Sequence, residues 1–379
     1  MTQGKTLTAD ELLTLRHRLD AIDDGIVDLI AERQNVVNVI GEHKLKTGAP
    51  LRHFAREREV IERGMSRAES LGVSDILARD ILETLIHHSL GKQETFQLQR
   101  SRHGQGKRAL VIGGLGRMGD WMCRYLDMVG YQVDVADLAE TESRFDRIDN
   151  WEDCTEDYEV IVVAVTLRPS NDILHRLAEL KPPGLVFDIG SLKSPMRSGL
   201  AALMEAGCHV CSVHPMFGPN EIGLSGRHIL FVDVGNSEAL ADARSLFERT
   251  AADCVDLSLD EHDEVMAWVL GLSHMVNVAF ASALAQSGEA VPLLRQISSS
   301  TFNAQLKVAA QVVSENPHLY YEIQQGNSKT PQVIAQFQSA FEDLHLAVSE
   351  QNEEAWTEAM EKANERISLV GTNTDAFDQ

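Results

Sequence analysis

Three groups of residues in this sequence have the types and spacing that chemistry needs. In the first, Gly114, Gly116 and Gly119 form G-x-G-x-x-G within Val111-Ile-Gly-Gly-Leu-Gly-Arg-Met-Gly119, after a short apolar run and before a helical stretch. Glycines at these places permit a tight turn, let the backbone approach a pyrophosphate and allow close helix–sheet packing, with the helix N-terminus facing the negative charge. Asp137 ends the next apolar run, eighteen positions after Gly119. There a carboxylate can accept hydrogen bonds from an adenosine ribose. The same charge would repel a 2′-phosphate, so NAD is expected rather than NADP. Arg117, Met118 and Val165 join these as expected cofactor-binding positions.

The second group lies where strands should end. Asp188-Ile-Gly-Ser-Leu-Lys193 follows one apolar run and Ser212-Val-His-Pro-Met-Phe-Gly-Pro219 the next. Ligands of open parallel sheets bind at such carboxyl ends. His214 there could take the proton from a hydroxyl whose carbon loses hydride.

The third group is cationic. Arg16, Arg33, Lys44 and Arg56 sit in otherwise regular helical sequence. Arg33 and Lys44 are eleven residues apart, about three turns and roughly 16 Å, on one helix face. Both could close on one small dianion. Arg16, seventeen residues before Arg33, falls roughly 25 Å away on another face and could serve a site built with a partner chain. Ser89 and Gln93, at i and i+4, can present two polar groups to one pocket.

The elements that must hold these residues read in three blocks. Residues 8 to about 46 form one long helix, with capping-box spacing at Thr8-Ala-Asp-Glu11 and Leu12, Leu15, Leu19, Ile22, Ile26 and Leu29 at intervals of three and four. Gly48-Ala-Pro50 stops it, and further helices span about 53–71 and 74–99. A small, polar stretch, 101–107, follows. Apolar runs at 109–112, 133–135, 160–165, 185–189, 210–213 and 229–234 then alternate with helical stretches, as in a doubly wound parallel sheet. From Asp260 the pattern is helical again. The expected plan is therefore a helical domain (1–100), a Rossmann-type α/β domain (101–256) and an all-helical domain (257–379). A first helix of roughly 50 Å exceeds what a small domain buries alone, which implies an intertwined dimer.

Composition narrows the classes. With 34 basic and 57 acidic residues the formal charge is −23, which opposes binding to nucleic-acid phosphates. The start lacks the pattern of a signal peptide and no long uninterrupted apolar run is read, so a cytoplasmic protein without a membrane span is expected. Five cysteines suggest reduced thiols. Cys208 and Cys211 form a lone C-x-x-C, read as lying on a strand and pointing to opposite faces, and no metal site is expected.

The glycine loop, Asp188-Ile-Gly-Ser-Leu-Lys193, His214-Pro-Met-Phe-Gly-Pro219 and Gly271-Leu-Ser-His-Met-Val-Asn277 resemble the prephenate dehydrogenase family across about 107–379. The resemblance implies NAD-dependent oxidative decarboxylation, with His214 taking the ring hydroxyl proton, Ser191 beside the reacting carbon and nicotinamide, and His274 in the substrate pocket. It also implies dimerisation through the C-terminal helices. In that family, users of prephenate typically carry an arginine six positions before the proline of an (D/N)P turn. Here the turn is Asn316-Pro317 and the position holds Gln311, with Lys307 or Arg295 as alternative cations. An arogenate or amino-substituted prephenate substrate is therefore an open alternative.

The first hundred residues resemble the all-helical chorismate mutases. That likeness implies that Arg16, Arg33 and Arg56 bind the substrate carboxylates, Arg16 coming from the partner subunit. It implies that Lys44 and Gln93 donate to the breaking ether oxygen, that Glu57 holds the ring hydroxyl, and that Ser89 lines the pocket. His53 stands where many relatives have aspartate. The two resemblances together imply a bifunctional enzyme of tyrosine biosynthesis, converting chorismate to prephenate and prephenate to 4-hydroxyphenylpyruvate. Against it stands a dehydrogenase whose helical segment only regulates or dimerises.

Overall fold

A computed structural model describes residues 8–47, 49, 52–101, 104–221, 223–288 and 291–372. Helix α1 runs Ala9–Thr47. Its capping box is formed: the Thr8 amide donates to Glu11 Oε2 (2.8 Å) and the Glu11 amide to Thr8 Oγ1 (3.2 Å). Gly48 and Pro50, the expected stop, lie outside the described residues. Helix α2 (Phe54–Ser70), N-capped by His53, and α3 (Asp75–Ser101) follow. The apolar stripe of α1 is uncovered in the single chain, with Leu12, Leu15, Leu19, Ile22, Ile26 and Leu29 between 43% and 66% exposed.

The sheet comprises β1 (Arg108–Ile112), then helix α4 (Arg117–Val129), β2 (Gln132–Ala136), the short β3 (Asp146–Arg147) and β4 (Val160–Val163). Helix α5 (Leu167–Leu180), β5 (Leu185–Asp188), α6 (Arg197–Glu205), β6 (Val210–Pro215), β7 (His228–Asp233), α7 (Ser237–Ser245) and β8 (Asp253–Ser258) complete it. The order is β3-β2-β1-β4-β5-β6-β7-β8. Strands from β3 to β6 are parallel, while β7 runs antiparallel to β6. The doubly wound parallel sheet read from the sequence is present, with β7 antiparallel beside β6. Among its described residues the Met216–Arg227 connection contains no helix to carry the chain back, so the strand returns as a hairpin does. Cys208 precedes β6 rather than lying on it, because the strand begins only at Val210. Both Cys208 and Cys211 are buried free thiols.

The sheet core packs Val111, Val135, Val162 and Phe187 with Met122 and Leu126 of α4, and Leu98 of α3 is part of the same core. By contacts, residues 1–190 with 198–257 form one compact unit and Ser191–Arg197 with 258–379 a second. The second unit contains α8 (Leu259–Met266), a π-helical turn (Ala267–Leu272), α9 (Ser273–Gln286), α10 (Val291–Gln296) and α11 (Ser300–Val313). Helices α12 (Pro317–Gly326), α13 (Thr330–Ser349) and α14 (Glu353–Thr372) follow. The continuous run Leu259–Gln286 qualifies for membrane crossing by length and composition alone, with mean hydropathy 1.5, although the sequence reading found no such span. It carries polar groups with partners in its own unit: Asn277 Nδ2 donates to Ser273 O (2.8 Å), and Gln305 Nε2 to Asn277 Oδ1 (2.9 Å).

Candidate active sites

One cavity of about 160 Å³ opens among α1, α2 and α3. Its lining includes Arg33, Lys44, Arg56, Glu57, Ser89 and Gln93, brought from three helices, together with His53. Arg33 Nη1 donates to Ser89 Oγ (2.6 Å) and Leu85 O (3.1 Å). Gln93 Nε2 donates to Val37 O (2.9 Å), which leaves its second N–H as the one able to reach a ligand. Glu57 Oε2 accepts from Arg52 Nε (3.3 Å), while Glu57 Oε1 and Gln93 Oε1 are buried without a partner. Burial lowers the Lys44 ammonium below its ordinary range, and the nearby Glu57 charge partly offsets this. Burial lowers the Arg33 guanidinium as well. Arg56 is half exposed and pairs with Glu59 (2.6 Å). Arg16 lies on the exposed part of α1 and does not line the cavity.

At the carboxyl end of the sheet, the tight turn expected at Gly114 falls on Gly113, at φ +87, where a Cβ would lie 2.7 Å from Ala164 O. Sequence reading passed over Gly113 because G-x-G-x-x-G can be satisfied without it. A Cβ on Gly119 would lie 2.1 Å from Gly113 O, so no larger residue fits there. Gly116 N-caps α4, so Arg117 and Met118 stand at the start of that helix. Asp137 follows β2, and its Oδ2 accepts from the Leu115 amide of the loop (2.9 Å) while Oδ1 accepts from the Ala139 amide (2.9 Å). A carboxylate retains further lone pairs for ribose hydroxyls. The backbone passage and carboxylate thus fit a dinucleotide. Val165 follows β4, beside Gly113, just before α5.

We expect Asp137→Asn to weaken NAD binding by roughly ten- to a hundredfold, the worth of hydrogen bonds to a charged group, ~1.5–3 kcal/mol. NADP should lose less, because the repelling charge is gone. Fluorescence titration with each cofactor measures both, and an unchanged NAD-to-NADP preference would refute the role.

His214 is the fifth residue of β6, opposite Leu230 of β7, and is 4% exposed. Asp188, buried at the end of β5, accepts from the Gly190 amide (2.9 Å) and from Ser212 Oγ (2.5 Å), which ties that loop to the His214 strand. Ser191 begins the segment that belongs to the second unit. There Asp263 accepts from the Lys193 amide (3.2 Å), from Ser194 Oγ and from His262 Nδ1 (3.2 Å). Burial pushes the Asp263 carboxyl up, but these hydrogen bonds outweigh it and hold it below its ordinary range. Asp263 and Asp188 were not singled out from sequence, since neither spacing nor type marks a positioning carboxylate.

In the same second unit His274 on α9 packs against Tyr320 with ring centroids 4.3 Å apart and tilted by 31°, and lines an apolar cavity of about 310 Å³ with Met275, Val278, Val312 and Tyr321. Burial lowers its pKa, and its Nδ1 is buried without a partner. Gln311, the position expected to bind substrate, is exposed and does not line this cavity. Its neighbour Val312 does, because successive helical residues point about 100° apart. Lys307 lies one turn earlier on α11, and the side chain of Arg295 lies outside the described residues. Among the described residues no His/Cys/Asp/Glu cluster could hold a metal.

Three families match the chain in succession. They are "Chorismate mutase type II" over residues 15–94, "Prephenate dehydrogenase, nucleotide-binding domain" over 128–254 and "Prephenate dehydrogenase, dimerization domain" over 258–362. The second match begins after the glycine loop, whose assignment therefore rests on its geometry. A T-protein of Enterobacter agglomerans is 25% identical over 344 residues, 90% of this chain and 89% of that protein. A prephenate dehydrogenase of A. aeolicus, solved with hydroxyphenyl propionate and NAD+, superposes with TM-score 0.58 at 16% identity, over 70% of this chain and 98% of that one. The Synechocystis arogenate dehydrogenase superposes with TM-score 0.56 at 17% identity, over 69% of this chain and 99% of that one.

Proposed function

We propose, from the premise that this chain belongs to the family joining a type II chorismate mutase to a prephenate dehydrogenase, that it performs both reactions in tyrosine biosynthesis. The observation that carries this reading is the cavity in which Arg33, Lys44, Arg56, Glu57, Ser89 and Gln93 converge, on a chain that also builds a glycine cradle under a strand-end carboxylate. A regulatory module would not need an ammonium and an amide donor facing one small cavity. The working division is a mutase (1–100), an NAD-binding domain (101–256) and a helical domain (257–379).

The mutase reaction is a pericyclic rearrangement and needs no nucleophile. Arg33 and Arg56 bind the carboxylates and select the compact reactive conformer. Lys44 and the second N–H of Gln93 stabilise the negative charge that grows on the ether oxygen as the C–O bond breaks, and Glu57 holds the ring hydroxyl. A cavity of 160 Å³ is below the ~300 Å³ usual for small-molecule sites. The uncovered stripe of α1 and the distant Arg16 support completion by a second copy of the chain, as a homodimer.

For the second reaction, Gly114, Gly116 and Gly119 admit the pyrophosphate, with Arg117 and Met118 beside it, and Asp137 binds the ribose. NAD, when bound, supplies the acceptor for the hydride leaving C4 of prephenate. His214 takes the hydroxyl proton as the ring carboxylate departs as CO₂. Aromatisation makes the step downhill, so positioning and a base suffice. Ser191 and His274 contact the substrate. The formal charge of −23 opposes nucleic-acid partners and supports an enzyme acting on small molecules.

The deciding measurement is NADH formation from NAD with chorismate, prephenate or arogenate offered separately. Immediate NADH from prephenate, and NADH after a lag from chorismate, are expected. A response to arogenate alone would favour the second reading, which Gln311 in place of the family's arginine motivates. Silence with all three from a folded, NAD-binding protein would defeat both.

A further inference from the structure

Glu94 follows Gln93 on α3, and adjacent helical residues point about 100° apart. Gln93 faces the mutase cavity, whereas Glu94 faces the sheet-bearing side of the same unit and is 1% exposed. Both of its oxygens lie 3.0 Å from the Leu224 amide, and Oε2 also accepts from Ala251 N (3.2 Å). Leu224 belongs to the Met216–Arg227 loop that leaves β6 just after His214 and returns as β7.

Three further contacts locate this loop. Gly91 of α3 meets Gly223 so closely that a Cβ on Gly223 would lie 2.4 Å from Gly91 Cα. Trp121 Nε1 of α4 donates to Glu221 O (2.9 Å), and Arg124 Nη2 donates to Pro219 O (3.1 Å). Leu90 packs on Ala251. The loop after His214 is therefore clamped between the helix that carries Ser89 and Gln93 and the helix that receives the dinucleotide.

We propose that Glu94 is a positioning residue for both reactions, bracing the mutase helix against the loop that anchors the His214 strand, so that loss of this brace disturbs both sites. The inference rests on the function proposed above. A carboxylate buried without a cation is costly, and here the amides of Ala251 and Leu224 are the groups that offset its burial. An apolar side chain in its place would leave the amides of Leu224 and Ala251 without this acceptor.

Burial raises the Glu94 pKa to about 7. Facing it are the two amides and, from α4, the Tyr125 phenol, which burial holds above its ordinary range. Ionised, both oxygens accept; protonated, one becomes a donor facing an N–H. The brace is accordingly complete above about pH 7 and weakened below it. The stability sign is opposite. The folded pKa lies above the unfolded 4.5, so the folded state gains protons and the net folding contribution falls as pH rises from 4.5 through 7.

The test is Glu94→Gln in the full-length protein. Mutase and dehydrogenase kcat should each fall by about tenfold, within the range that small misplacement costs. NAD affinity, read by fluorescence, should stay within about twofold, since Glu94 does not touch the glycine loop. Mutase activity, which uses no histidine base, should show an ionisation near pH 7 that Glu94→Gln lacks. Loss of one activity with the other unchanged overturns the proposal. If Glu94→Gln does not fold, Glu94→Asp keeps the charge but shortens the reach, and should lower both activities while retaining the ionisation. If the wild-type protein turns over neither substrate, the functional reading fails while the brace stays readable by hydrogen exchange. Peptides covering 85–97 and 216–227 should then exchange faster together in the variant, and a change confined to one of them overturns the brace.

Discussion

Replacing Lys44 with methionine is expected to lower chorismate turnover by about 10²–10³-fold, the loss that follows removal of one donor to a developing anion. NADH formation from prephenate should stay within about twofold, because the cavity among α1, α2 and α3 that Lys44 lines contains none of the proposed dehydrogenase residues. Methionine keeps most of the stem volume and deletes the charge. The pH behaviour supplies an independent check. Burial lowers the Lys44 pKa below 10.5, with Glu57 pulling the other way. A depressed lysine favours its neutral form in the folded state, so at neutral pH its charge opposes folding, and that cost disappears as pH rises through the folded pKa towards 10.5. Lys44→Met should therefore not lower the melting temperature at pH 7. A variant that loses activity but keeps or gains stability has lost a functional charge, whereas one that keeps near-normal mutase turnover would remove Lys44 from the mechanism.

The long first helix, its capping box and the strand ends were legible because periodicity and capping act over a few residues. The cationic set was legible for the same reason: Arg33 and Lys44 share a helix face by spacing alone, and the cavity contains them both. What sequence could not carry was long-range. Gly113 takes the left-handed turn because Ala164, some fifty residues later, closes on it. The antiparallel β7 follows from a loop whose described residues form no crossover helix, a negative feature that an apolar run does not announce. Glu94 reads as one more solvated helix acid, and only its burial beside the amides of Leu224 and Ala251, 130 and 157 residues away, gives it another meaning. Gln311 and Val312 show the limit of spacing for a site. A one-residue offset on a helix decides which of them lines the cavity, and the sequence pattern did not fix that rotation.

His214→Asn is expected to lower dehydrogenase kcat by about 10²–10⁴-fold, the usual contribution of a positioned general base. Asparagine can still hydrogen-bond a substrate hydroxyl but cannot accept its proton, so binding and base catalysis separate in this substitution. A large loss in kcat with little change in the KM for prephenate would mean an interaction made only as the proton leaves. A raised KM at unchanged kcat would reduce His214 to a binding group. The scaffold argues for the first outcome. His214 pairs with Leu230 of β7, and Ser212, two residues earlier, is paired with and bonded to the buried Asp188 of β5. A backbone held by β7 at His214 and by β5 two residues earlier gives a base little freedom to move out of reach, which is what proton transfer requires and simple binding does not. Mutase turnover and NAD affinity should be unchanged in the same variant. Their loss would mean that the strand itself has been disturbed, and the assignment would then rest on a more conservative replacement such as His214→Gln.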